Sequence, residues 1–110
     1  MKTKTEIVVN LQYEGVHRWP ECDIQKVGYL KYPHRHLFHI KAKKAVSHGD
    51  REIEVICFKH EITKYLNEIY GGHFGDKSCE MIAKELVEIF ELTECQVLED
   101  GENGAIVYAI

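Results

Sequence analysis

A chain of 110 residues with a formal net charge of −4, 45% apolar and 29% charged, has the makings of one ordinary globular domain spanning 1–110. The acidic balance argues against a nucleic-acid binder, which carries a basic face, and no apolar run approaches the length of a membrane span. The opening Met1-Lys2-Thr3-Lys4-Thr5-Glu6 precedes only three apolar residues, too few for a signal-peptide core, so a cytoplasmic location is expected.

From Glu6 to His17 the residues alternate, with Ile7, Val9, Leu11, Tyr13, Gly15 and His17 on one face. That predicts a half-buried strand with His17 at its far end on the apolar side. Residues 18–33, with Arg18-Trp19-Pro20 and Tyr32-Pro33, read as a long loop, and such loops tend to serve function. A second strand is expected over His34–Val46, its even face holding His34, His36, Phe38, Ile40 and Ala42. Ser47-His48-Gly49-Asp50 is a turn cluster, and alternation at Ile53, Val55 and Cys57 predicts a third strand, Arg51–Phe58, making a hairpin.

Helical spacing then takes over at Phe58, Ile62, Tyr65, Leu66 and Ile69, stopped by Gly71-Gly72. A second helix is expected from about Ser78, with Cys79, Ile82, Ala83, Leu86, Ile89 and Phe90 on its apolar stripe and Asp76 or Ser78 as its cap. Cys95–Asp100 and Ala105–Ile110 read as two further strands about a Gly101-Glu102-Asn103-Gly104 turn. The predicted architecture is α+β, an antiparallel β-sheet with two helices packed on one face. The cysteines form no C-x-x-C pair and are expected to be free thiols. Cys57, Cys79 and Cys95 read as small buried hydrophobes, and Cys22 sits in the long loop.

If the first two strands pair antiparallel, His17 at the end of one meets His34 and His36 at the start of the other. Three neutral imidazoles with an open fourth position are a catalytic zinc arrangement. The competing reading is plain core or surface histidine, since seven histidines make such pairs common by chance. Late in the chain, Glu99 alone of the acidic turn residues shares a face with Cys95 and Val97, which favours it as an inward carboxylate over a solvated hairpin tip. Arg35, His39, Lys41 and Lys43 form a basic strand face, either solvated or lining an anionic ligand such as a nucleotide phosphate.

In order, Gly15-Val16-His17-Arg18, His34-Arg35-His36, Ser78-Cys79-Glu80-Met81-Ile82-Ala83 and Gln96-Val97-Leu98-Glu99 resemble the motifs of the 6-pyruvoyl- and 6-carboxytetrahydropterin synthase family. The resemblance implies zinc on His17, His34 and His36, and Glu99 receiving the amino and ring N–H groups of a pterin or purine. It also implies the tunnelling fold, in which several copies join their sheets into a barrel. Two catalytic features of that family are missing here. Gly28 stands where the family has its reactive cysteine, and Glu68 to Lys77 is too short for its Asp–His dyad. The chain also resembles small proteins carried in phage genomes. The expectation is a zinc-bearing homo-oligomer that binds a pterin, purine or nucleotide, with Arg35 or Lys41 on phosphate. The alternatives are a lyase acting on dihydroneopterin triphosphate and a metal-free nucleotide-binding oligomer.

Overall fold

The two longest elements are strands of 13 residues each, β1 (Thr5–His17) and β2 (His34–Val46), paired antiparallel along their whole length in a computed structural model covering Met1–Ile110. The register runs from Thr5 opposite Val46 to His17 opposite His34. Between them the segment expected as a plain loop winds into a 3-10 helix at Gln25–Lys31, and after them come α1 (Val55–Ile69), β3 (His73–Gly75), α2 (Cys79–Phe90), β4 (Glu94–Glu99) and β5 (Asn103–Tyr108). The five strands form one sheet in the order β3-β1-β2-β4-β5, and both α-helices lie on one face of it.

The sheet is mixed, which corrects the purely antiparallel expectation. β3 pairs parallel with the end of β1, held by Val16 N–H on the Gly72 carbonyl and Arg18 N–H on the Gly75 carbonyl, both at 2.9 Å. Three residues between two helices carry too little periodicity to read as a strand.

The second correction concerns Arg51–Phe58. Instead of a third strand, residues 51–54 are irregular and α1 begins at Val55. Glu54 is its cap: the carboxylate accepts the Ile56 and Cys57 N–H groups at 3.0 and 3.1 Å, and those bonds hold it below the usual carboxylate range. The alternation of Ile53, Val55 and Cys57 is overridden because capping satisfies donors at the exposed helix start. Cys57 consequently lies exposed on α1. β2 takes β4 as its second neighbour instead, with Phe38 opposite Glu99 and Lys43 opposite Glu94.

Alternate residues of the strands fill the core: Val9, Leu11 and Tyr13 from β1, Phe38, Ile40 and Ala42 from β2, Cys95 and Val97 from β4. Phe58, Ile62 and Leu66 of α1 and Ile82, Ala83, Leu86 and Val87 of α2 close over them. Each large side chain so buried contributes roughly 1.5–3 kcal/mol. Within the expected stripe of α2, Ile89 turns outward and Val87 inward. Ser78 caps α2 by accepting the Met81 N–H at 3.2 Å. At the other end Lys44 Nζ donates to the Phe90 and Glu91 carbonyls at 2.5 and 3.3 Å, anchoring a helix end that would otherwise leave them unpaired.

The β4–β5 connection positions the site. Asp100 and Gly101 both take left-handed backbone, φ 55° and 74°, and Gly104 follows where an added Cβ would fall 1.8 Å from the Val97 oxygen. Only glycine fits there. No helix is long and apolar enough to cross a membrane.

Candidate metal centre

The full register of β1 on β2 brings the three expected imidazoles together at the end of the ladder where β3 also joins. His17 and His34 ring centres are 4.6 Å apart, His34 and His36 5.0 Å, His17 and His36 5.3 Å. One donor nitrogen from each lies within 4.8 Å of the other two. His17 is buried, and the other two are half-buried.

Each imidazole is oriented from behind by an acceptor on Nδ1. His17 Nδ1 lies 2.8 Å from the Lys77 carbonyl, His34 Nδ1 2.8 Å from the Tyr32 carbonyl, and His36 Nδ1 2.7 Å from Asp100 Oδ2. A carbonyl or an ionised carboxylate only accepts, so each Nδ1 carries a hydrogen, and in the neutral ring each Nε2 keeps its lone pair. The Nε2 atoms of His17 and His36 are buried with no hydrogen-bond partner. Orphaned lone pairs of this kind are costly unless something electropositive takes them. Histidine ligands backed through the other ring nitrogen are the common pattern at metal sites. The donor set fits a first-row divalent ion.

Asp100 is more tightly held than a solvated carboxylate would be. Leu37 N–H donates to its Oδ1 at 2.9 Å and Asp100 N–H donates to the Leu37 carbonyl at 2.8 Å. The Leu37 N–H first, and His36 second, hold its carboxyl below the ordinary aspartate value. Burial lowers the proton affinity of His17, and the Lys77 carbonyl and Glu99 offset that only in part.

Glu99 points at the same centre. Its Oε2 lies 3.0 Å from His17 Nε2 and its Oε1 3.7 Å from His36 Nε2. Beside the histidines opens a cavity of about 410 Å³ lined by His17, His34, Glu99, Trp19, Leu30, Arg18, Asp76, Cys79, Asn103 and neighbours around the start of α2. Arg18 Nε is paired with Asp76 Oδ1 at 2.9 Å, so Asp76 faces a guanidinium rather than a histidine, and His73 is exposed. Cys79 lines this cavity, and burial together with the Glu99 charge pushes its thiol up to about 12. At neutral pH it is a protonated thiol and a poor nucleophile. Cys22 is buried away from the cavity, its Sγ 3.6 Å from the Val27 carbonyl.

Arg35 and Lys41 do not join Glu99. They alternate to the opposite sheet face, where Arg35 pairs with Glu14 (Nε–Oε1 3.0 Å) and Lys41 lines a separate polar cleft with His39, Gln12 and Gln96. Tyr29 and Tyr32 are exposed, and only Trp19 of the loop aromatics lines the cavity. Sequence reasoning missed Asp100, the Lys77 carbonyl and the cavity position of Cys79. Of these only Asp100 carried a signal, its place beside Glu99 ahead of a glycine.

No family model and no curated protein matches the chain.

Proposed function

We propose that the protein binds a divalent metal, zinc before others, on His17, His34 and His36, and holds a planar N–H-bearing ligand of the pterin or purine class in the adjoining cavity. One observation carries the reading: all three imidazoles have Nδ1 engaged from behind, leaving the buried Nε2 atoms of His17 and His36 unpartnered. Three-histidine sites with room for a further ligand are characteristic of zinc. When bound, such an ion supplies Lewis acidity to a ligand oxygen. Glu99 offers an acceptor for ring N–H groups, Trp19 a stacking surface, and Arg18 with Asp76 a polar rim.

Binding without turnover is the favoured form of this reading. A lyase needs a general base within reach of the reacting carbon, and the cavity's thiol is held protonated while Asp76 is committed to Arg18. Self-association belongs to the same reading. The sheet face bearing Asn10, Gln12, Glu14, Arg35, Lys41 and Lys43 is polar, and β1 has no partner strand along its outer edge before Val16.

Native mass spectrometry of protein purified without added metal tests all parts together. Expected are a multimer, one metal per chain that is lost in His34→Ala, and a released small ring compound. A metal-free monomer would reject the reading. Turnover of added dihydroneopterin triphosphate that His36→Ala abolishes would replace binding with catalysis.

A further inference from the structure

Resting on the metal reading, we infer that Glu99 is itself the fourth metal ligand, so that the ion sits in a closed His17–His34–His36–Glu99 set whenever the cavity is empty. A tetrahedral shell with metal–ligand bonds of about 2.0–2.1 Å has ligand-to-ligand edges of roughly 3.3–3.5 Å. Glu99 sets one oxygen against each of two of these nitrogens, Oε2 3.0 Å from His17 Nε2 and Oε1 3.7 Å from His36 Nε2, each within a few tenths of an ångström of that edge.

With the His17 ring neutral, the 3.0 Å contact is not a hydrogen bond. His17 Nε2 is without a hydrogen-bond partner, and the ring's hydrogen is on Nδ1, facing the Lys77 carbonyl. A nitrogen lone pair and an anionic oxygen this close repel each other across a poorly hydrated gap. A cation between them turns both into attractive contacts. Glu99 approaches only two of the three histidines. His34 lines the open cavity and is the ligand from which the carboxylate stands apart.

The consequence is competition for one carboxylate. A ring whose N–H groups engage Glu99 takes it from the ion, and the vacated position becomes available to an oxygen of the same ligand. An empty cavity keeps the ion four-coordinate and inaccessible to solutes.

Cobalt(II) is a spectroscopic probe for this. The full chain, stripped by chelator, is titrated with cobalt and then with azide, alongside Glu99→Gln and the exposed neighbour Glu102→Gln as control. Circular dichroism of the metal-free variants confirms that they fold. The wild type and Glu102→Gln are expected to show a four-coordinate visible spectrum that azide leaves unchanged. Glu99→Gln is expected to bind cobalt at least about tenfold more weakly, the lower end of outer-ligand losses, and to shift on adding azide. A wild type whose spectrum responds to azide as the variant's does, with equal cobalt affinity, overturns this inference alone. An equal effect of Glu102→Gln would show that charge rather than ligation is responsible, and also overturns it. A wild type that takes up no cobalt or zinc overturns the metal reading with it.

Discussion

Gly15→Ala probes how the histidine cluster is supported from below. Gly15 lies in β1 under the ring of Phe74, and an added Cβ would stand 2.7 and 2.9 Å from two Phe74 ring carbons and 3.2 Å from Phe38. To regain the ~3.5 Å at which carbon atoms attract, the Phe74 ring must retreat by roughly 0.8 Å. It is packed edge-on to Phe38 and Tyr13, with ring centres 5.0 and 5.6 Å away, and tilted on Tyr70 at 4.9 Å, so little free space receives it. Overpacking of this kind costs about 1–3 kcal/mol, and the stiffer unfolded chain returns about 0.4–1. A net loss of about 1–2 kcal/mol in a chain of this size lowers Tm by roughly 4–9 °C. The effect should reach the site, because Lys77 N–H is bonded to the Phe74 carbonyl at 3.3 Å and the Lys77 carbonyl orients His17. Thermal melts in chelator, followed by zinc titration, measure both consequences. Phe74→Leu in the same chain should relieve the clash, so that the double variant is more stable than the two single losses sum to. A Gly15→Ala melt within a degree of wild type, or strict additivity with Phe74→Leu, would refute the reasoning.

Asp100→Asn keeps the shape behind His36 but gives up the charge; zinc affinity should fall about 10–100-fold, read by competition with a chromophoric chelator, with the metal-free fold intact. Unchanged affinity would mean that Asp100 serves only the turn. Glu85 accepts from Tyr65 at 2.5 Å, from Tyr70, and from Lys77 Nζ at 3.1 Å. Burial opposes its charge, yet these three donors together hold it below the usual glutamate value. A carboxylate depressed in the folded state stabilises above its unfolded pKa, and that stability is lost as pH falls through the folded value. Metal-free Glu85→Gln should therefore be less stable than wild type at neutral pH, with the gap closing on acidification below the ordinary carboxylate range. Denaturant melts across roughly pH 3–7 that run parallel would contradict it.

The long strands, the late hairpin and the histidine cluster were legible because a period of two over 13 residues is unambiguous and a full antiparallel register fixes what faces what. Residues 51–58 misled for the opposite reason. A short alternation at Ile53, Val55 and Cys57 fits a strand, and only the Glu54 side chain turning back onto two N–H groups reveals the helix start. Losing that strand hid the real neighbour of β2, since pairing with β4 spans more than fifty residues of sequence. Their chemistry groups Arg35 and Lys41 with Glu99, but strand alternation sends them to the other face. The orienting groups behind the histidines stayed hidden because two of the three are backbone carbonyls, which no side-chain pattern records.

The three imidazoles arise from one local unit, β1, the loop of residues 18–33 and β2, whereas Glu99 and Asp100 arrive from the last hairpin. Closing the 18–33 loop costs only modestly more entropy than a short turn, growing with the logarithm of its length. Bringing β4 alongside β2 requires a much longer excursion through both helices. The N-terminal strands can therefore meet, and present three bare nitrogens to solution, before the C-terminal carboxylates close the cavity. An ion that loaded in that order would be a kinetic guest of a half-assembled chain, and its release from the finished protein would await either local opening of the last hairpin or a competitor for Glu99.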